Sequence, residues 1–95
     1  MGAKNGTLFL YNKDDVLILK GEYKNDQKNG SFSWFYDNGK LKYEGQYVDN
    51  EREGEHKSYH INGNLEFVGE YKTGQPVGRD QWFNEFGNLE KTVNY

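Results

Sequence analysis

The chain repeats itself every 24 residues without an insertion. Glycines recur at this period, an aromatic residue follows each of them five positions later, and a tyrosine closes each unit. The glycines are Gly6, Gly30, Gly54 and Gly78, and the tyrosines are Tyr23, Tyr47, Tyr71 and Tyr95. Such self-similarity is typical of arrays in which each unit packs against its neighbours. We therefore expect one repeat domain over residues 1–95, with units at 6–29, 30–53, 54–77 and 78–95.

Each unit has the pattern of a β-hairpin. Residues 41–47 alternate between apolar or small side chains and polar ones, which indicates a half-buried strand. A three-residue turn at Asp37-Asn38-Gly39 would place Phe35 opposite Leu41, whereas a two-residue turn would pair it with Lys42. Opposed side chains share a face, so the three-residue turn is favoured, with Gly39 in a left-handed conformation. In the first unit Asp15 replaces this glycine, and we expect a looser turn there.

The predicted fold class is all-β: a single antiparallel meander of about four tandem hairpins that forms a curved open sheet. The polar segments between units, 24–29, 48–53 and 72–77, are expected to be loops. The buried face is predicted to carry the repeated leucines and most of the rings, namely Tyr11, Leu17, Leu19, Tyr23, Phe35, Leu41, Tyr43, Tyr47, Tyr59, Leu65, Phe67, Tyr71, Phe83, Leu89 and Tyr95.

The opposite face is also apolar in the first two units. The predicted register places Leu10 opposite Ile18 and Trp34 opposite Lys42. The third unit carries His56, Ser58, His60 and Glu66 at these positions, which is typical of a solvated face. Exposed apolar patches mark interfaces, and tryptophan and tyrosine are frequent anchors. We therefore predict a partner-binding surface, with coverage by the chain itself or by a twin subunit as the alternative; its residues are Leu8, Leu10, Ile18, Phe32, Trp34, Tyr36 and Trp82.

Composition narrows the class of protein. The chain has no cysteine, 17% aromatic residues and a net charge of −3. Residues 1–42 carry +2 and residues 43–95 carry −5, so no basic stripe supports direct nucleic-acid binding. No apolar run is long enough to span a bilayer, and no signal peptide is recognisable. We expect a cytoplasmic protein without membrane association.

The sequence predicts no enzyme, no metal site and no cofactor. His56 and His60 are about 13 Å apart along a strand, too far to share a metal ion. The acidic stretch that begins at Asp49 resembles a calcium loop, but position twelve is His60, where a bidentate glutamate is required. No catalytic spacing of serine, histidine and aspartate is present.

The recurring form G-x4-[YF]-x3-G-x-L-x3-G-x-Y resembles the variant MORN repeat of bacterial proteins, including antitoxin-like chains of the YwqK family. The match is closest over residues 35–47 and 59–71. The resemblance implies a meander of hairpins and a protein partner, with neutralisation of a toxin by contact in the antitoxin relatives. Membrane phospholipids, linked to MORN proteins, are less favoured because there is no basic patch.

Three functions therefore stay open at this point. The first is a binding module that inhibits a protein effector, as an antitoxin or a phage- or plasmid-borne inhibitor does. The second is a scaffold that self-associates, including as a homodimer. The third is an acidic mimic of nucleic acid that blocks a nuclease and depends on Glu51, Glu53 and Glu55.

Overall fold

Strands follow wherever the sequence alternates between apolar and polar residues. The computed structural model describes residues 4–95, and its eight strands are β1 (Gly6–Tyr11), β2 (Leu17–Lys24), β3 (Gln27–Phe35), β4 (Leu41–Val48), β5 (Glu51–Tyr59), β6 (Leu65–Lys72), β7 (Gln75–Phe83) and β8 (Leu89–Asn94). In this part of the chain there is no helix that could cross a membrane.

The strands form one antiparallel sheet in the order of the sequence, β1 to β8. Its Cα atoms span 47 × 35 × 11 Å, so the sheet is a single open layer. The predicted all-β meander of tandem hairpins is therefore confirmed. Each unit contributes two neighbouring strands, and contacts between strands run from each strand to the next.

The three-residue turn within each hairpin is also confirmed. The Tyr36 N–H donates to the Lys40 carbonyl at 2.8 Å, Gly39 has φ +87°, and Phe35 lies opposite Leu41. The first unit forms the same turn, with Asp15 at φ +62° in place of the glycine. A side chain therefore occupies a backbone conformation that glycine adopts without steric cost.

The connections between units are tighter than expected. The segments predicted as six-residue loops continue the strands and leave two-residue turns at Asn25-Asp26, Asp49-Asn50 and Thr73-Gly74. All six of these residues have positive φ, which is the geometry of a type I′ turn. The right-handed twist of paired strands favours this turn. Successive units are therefore joined by two turn residues each, with no longer loop between them.

The predicted register beyond the hairpin turn is wrong by one residue. Trp34 lies opposite Tyr43, not Lys42, and Leu10 lies opposite Leu19, not Ile18. A β-bulge follows the Phe35–Leu41 pair, and Lys42 is its unpaired residue. The corresponding unpaired residues of the other hairpins are Ile18, Glu66 and Glu90.

The bulge changes which side chains share a face. Phe32 and Trp34 lie on the same side as Tyr43 and Tyr47, with ring centroids 5.2–6.2 Å apart. Phe35 follows Trp34 in β3 and lies on the other side, because side chains alternate along a strand. The prediction that Tyr43 and Tyr47 lie on the face opposite Phe32 and Trp34 is therefore wrong.

Burial is concentrated near the middle of the sheet. Phe32 and Tyr47 are the buried hydrophobic residues among those described, and His56 and Asp80 are the buried polar ones. Several members of the predicted buried face are exposed, namely Tyr11, Leu89 and Tyr95. A single layer has no second layer to cover its rings, so only those flanked on both sides lose contact with water.

Candidate interaction face

One face of the sheet, which we call the aromatic face, is built from rows of residues that cross all the strands. Cross-strand pairs define two of them, except at two junctions where the register shifts and the side chains of His56 and Asp80 instead lie on the backbones of Gly45 and Gly69. The central row consists of Leu8, Gly21, Phe32, Gly45, His56, Gly69, Asp80 and Val93. The tryptophan row consists of Leu10, Leu19, Trp34, Tyr43, Ser58, Phe67, Trp82 and Lys91.

Phe32 is the centre of the ring cluster. It is 1% exposed and lies 5.4 Å from Tyr23, 5.5 Å from Trp34 and 5.2 Å from Tyr47 between ring centroids. The tyrosines meet it edge-on, which is a favoured geometry for aromatic pairs. Phe32 therefore supports the face, and its own side chain is not accessible to a partner.

His56 continues this cluster into the third unit, where a solvated surface was expected. It is 0% exposed and lies between Tyr47 and Tyr71, at 5.3 Å from each ring centroid. Its Nε2 donates to the Gln46 carbonyl at 2.7 Å, and its Nδ1 accepts a hydrogen bond from the Tyr43 hydroxyl at 2.6 Å. A neutral imidazole with its proton on Nε2 satisfies both contacts.

The electrostatics of the site favour that neutral form. Burial lowers the pKa of His56, and the nearby Arg52 guanidinium lowers it further, against an opposing effect of the Gln46 carbonyl. Burial also raises the pKa of Tyr43 to about 12, so its hydroxyl stays protonated and donates to the imidazole. The prediction that His56 is a surface residue is therefore wrong.

Asp80 occupies the same row in the fourth unit and is 4% exposed. The Tyr95 hydroxyl donates to its Oδ2 at 3.0 Å, but its Oδ1 has no hydrogen-bond partner within the described residues. Phe67 explains the difference from His56, because it stands where Tyr43 supplies a hydroxyl in the preceding hairpin. A buried polar atom without a partner is rare in native proteins.

A groove opens on this face where the tryptophan row has a small side chain in place of a large ring. Trp34 and Trp82 are half-buried, and the residue midway between them in the repeat is the small Ser58. The groove has a volume of about 820 Å³, and its lining includes Tyr43, Ser58, Phe67 and Trp82. The size is that of a cleft that takes a side chain or a short segment of a partner.

Polar groups occupy one end of the groove. The Ser58 hydroxyl donates to Glu66 at 3.0 Å, and His60 Nδ1 lies 3.6 Å from the other carboxylate oxygen of Glu66. The Nε2 of His60 bonds to the Phe83 carbonyl at 2.8 Å. The groove therefore combines aromatic walls with oriented acceptors. Within residues 4–95, no group of three or more histidine, aspartate or glutamate side chains is arranged to hold a metal ion.

The structure brings together most of the residues predicted to bind a partner. Leu8 and Phe32 lie in the central row, and Leu10, Trp34 and Trp82 lie in the tryptophan row. Ile18 is the unpaired residue of its bulge. Tyr36 lies just beyond β3, and its hydroxyl donates to the Tyr59 carbonyl at 2.6 Å.

Three residues of the face were missed from the sequence. They are Ser58, His56 and Asp80, which occupy the repeat positions of Trp34 and Phe32 in later units. The repeat columns place them on the same face as Phe32 and Trp34, but this part of the face was interpreted as a solvated surface. The bulge, which has no strong sequence signal, brings Tyr43, Tyr47 and Tyr71 onto this face, where their rings pack against His56.

Two stretches of the chain match a family model described as the MORN repeat variant. They cover residues 28–49 and 52–73, and each begins two residues before one of the two central units. No curated protein matches the chain.

Proposed function

We propose that this chain, whose two central units are MORN repeats of the variant type, is a non-enzymatic module that binds a protein partner through its aromatic face. MORN repeats are in general interaction modules, and this supports binding in preference to catalysis. The observation that carries the proposal is the groove beside Trp82, where this half-buried indole and the rings of Tyr43 and Phe67 surround the small, polar Ser58.

Half-buried tryptophan is well suited to binding. Indole and phenol rings bury a large area with few rotatable bonds, and such residues dominate the energetics of interfaces. Phe32 and His56 hold the rings from below, so the face is rigid before the partner arrives. A preorganised surface loses less conformational entropy on association.

The test compares single substitutions on the two faces. Trp34→Ala or Trp82→Ala should weaken binding of an identified partner about thirtyfold or more. Phe9→Ala is the matched control, because Phe9 is an exposed ring that lies opposite Lys20 on the other face. Equal losses from all three variants, with unchanged circular dichroism, would contradict the proposal. Phe32→Ala is unsuitable, because its buried ring supports the fold.

We further propose that the partner is a protein effector that is inhibited when it is bound. The acidic residues 43–95 and the interaction repeats support this role. A stoichiometric amount of the chain should suppress the activity of the bound effector, and the Trp34→Ala variant should fail to do so at the same concentration. If the chain binds the effector without any loss of effector activity, the proposal of an interaction module stands and the proposal of an inhibitor is excluded.

Self-association is the second candidate, and the open edges of the sheet favour it. β1 and β8 each pair on one side only, and Leu10 and Tyr11 of β1 are exposed. Unpaired edges invite strand addition. Sedimentation velocity over a range of concentrations distinguishes the two functions: a single monomeric species throughout excludes the scaffold.

A further inference from the structure

Three cations recur in the repeat and each covers one tyrosine ring. Lys4 Nζ lies 4.6 Å from the Tyr23 centroid, Lys28 Nζ lies 5.0 Å from Tyr47, and Arg52 Cζ lies 5.1 Å from Tyr71. Lys4, Lys28 and Arg52 are 24 residues apart, and each precedes its tyrosine by 19 positions. An ammonium or guanidinium over an aromatic face is attracted by the quadrupole of the ring.

The fourth unit has the ring but lacks the cation. The residue at the fourth position of this column is Pro76, which precedes Tyr95 by the same 19 residues. Tyr95 is 59% exposed, whereas its counterpart Tyr47, beneath Lys28, is 7% exposed. β8 contains one cation, Lys91, and its Nζ lies over Trp82, at 4.8 Å from the ring centroid.

The same unit holds a negative charge that nothing in the described chain neutralises. The Asp80 carboxylate bonds to the Tyr95 hydroxyl, and its Oδ1 lacks a hydrogen-bond partner. Across residues 4–95, the ion pairs within 4 Å are Lys57–Glu55 and His60–Glu66, so none involves Asp80. A buried carboxylate without a cation is costly, and a cation that arrives from outside would reduce that cost.

We propose that the fourth unit binds an arginine or lysine side chain of the protein partner, stacked on Tyr95 and paired electrostatically with Asp80. The incoming cation takes the position that Lys28 and Arg52 occupy in the preceding units. The net charge of −5 on residues 43–95 also favours a basic partner segment. This inference deepens the proposed function and rests on it for the identity of the occupant.

The direct test uses a short peptide, acetyl-Gly-Arg-Gly-amide, and its citrulline analogue, which has the same shape without the charge. In NMR titrations of the full chain, the arginine peptide should shift the signals of Tyr95 and Asp80 with millimolar affinity, about tenfold more tightly than citrulline. Equal shifts from the two peptides, or shifts confined to other units, would overturn the proposal.

Substitutions at Pro76 give the sharper comparison. Pro76→Lys supplies the missing cation from the chain itself and should reduce binding of the arginine peptide about tenfold. Pro76→Ser removes the ring of proline without adding a charge, and it should bind the peptide as the wild type does. Asp80→Asn keeps an acceptor for Tyr95 but removes the charge, so it should also lose peptide affinity. Wild-type peptide affinity in Pro76→Lys would overturn the proposal.

The same variants separate this inference from the proposed function. If both Trp34→Ala and Pro76→Lys lose partner binding, the proposed function and the cation site are both supported. If Trp34→Ala loses partner binding and Pro76→Lys retains it fully, the proposed interaction face is supported and the proposed cation site is excluded. If Pro76→Lys instead dissociates an oligomer of the wild type, a second copy supplies the cation, and a separate protein as the occupant is excluded.

Discussion

Gly45 is a residue whose missing side chain matters more than its backbone freedom. It lies beneath His56, and a Cβ at this position would collide with the imidazole. Gly21 and Gly69 lie in the same way beneath Phe32 and Asp80. None of these three glycines has a positive φ. Each is required because the side chain of the next unit lies directly on its backbone.

Replacement of Gly45 by alanine is therefore expected to destabilise the sheet. The added methyl group must displace a buried, doubly hydrogen-bonded ring, which costs about 1–3 kcal/mol. Urea unfolding followed by tryptophan fluorescence measures the change. Gln46→Ala, at an exposed position beside it, serves as the control, and equal midpoints for the two variants would contradict this explanation.

The stability of the protein should depend on pH through His56. Its folded-state pKa is lowered by burial and by Arg52, so folding favours the neutral ring. The stabilisation is complete above the unfolded value of about 6.5 and is lost as the pH falls from there through the folded pKa. Tyr43, Tyr47 and Tyr71 also face the ring, and burial raises the pKa of Tyr43 to about 12, so its hydroxyl stays protonated in this range.

His56→Phe tests this dependence, since phenylalanine occupies the same row at Phe32. The free energy of unfolding of the wild type should fall between pH 7.5 and pH 5, and the variant should show a smaller slope. The slopes come from urea unfolding at a series of pH values. Identical slopes would show that other groups control the acid sensitivity.

Phe67→Tyr is expected to stabilise the fourth unit. The new hydroxyl lies next to Asp80, as that of Tyr43 lies next to His56. A hydrogen bond to the unpaired Oδ1 contributes about 1–3 kcal/mol because the acceptor is charged. Thermal unfolding measures the effect. The combination with Asp80→Leu is the control, because it removes the acceptor and should abolish the gain.

At the scale of the strand and turn, each hairpin couples two irregularities. A three-residue turn with a left-handed third residue is followed by a bulge two residues into the second strand. The turn alone would place Trp34 and Tyr43 on opposite sides of the sheet. The bulge restores them to one face, and the aromatic cluster depends on it.

The first hairpin should gain stability from Asp15→Gly. Asp15 has φ +62° in the position where the other units have Gly39, Gly63 and Gly87. An aspartate tolerates this conformation at a cost of about 1 kcal/mol relative to glycine. Chemical denaturation should show a gain of about 0.5–1 kcal/mol, and Asp14→Gly, at a turn position without a positive φ, should show none.

The turn could be predicted from the sequence and the bulge could not. Phe35 opposite Leu41 is the pairing that joins apolar side chains, so periodicity selected the correct turn. The unpaired residue differs from unit to unit (Ile18, Lys42, Glu66 and Glu90) and has no shared chemistry. Because strands alternate with a period of two, a shift of one residue moved every later side chain to the other face.

At the scale of the molecule, the sheet has a stable middle and weaker edges. The buried residues Phe32, Tyr47 and His56 belong to β3, β4 and β5, whereas β1 and β8 are largely exposed. The interaction of each unit with its neighbours carries most of the stability in a repeat protein. Strands with a neighbour on one side only are therefore expected to open first.

Hydrogen exchange measures this gradient. Backbone amides of β3–β5 should exchange most slowly, and those of β1 and β8 should exchange fastest. A substitution that removes the central packing, such as Phe32→Ala, should accelerate exchange in all strands together. Uniform protection from β1 to β8 in the wild type would show that the sheet opens as one unit.

The short turns between units fix the distance between equivalent residues of successive units. Because no unit contains an insertion, each adds two strands and widens the sheet by about 9.6 Å. Trp34 and Trp82 are two units apart, which corresponds to about 19 Å across the strands. Equivalent residues of neighbouring units are therefore separated by a constant distance across the sheet. Insertion of one more 24-residue unit between the tryptophans would increase their separation by about 9.6 Å. A rigid partner matched to the present spacing would then no longer contact both tryptophans.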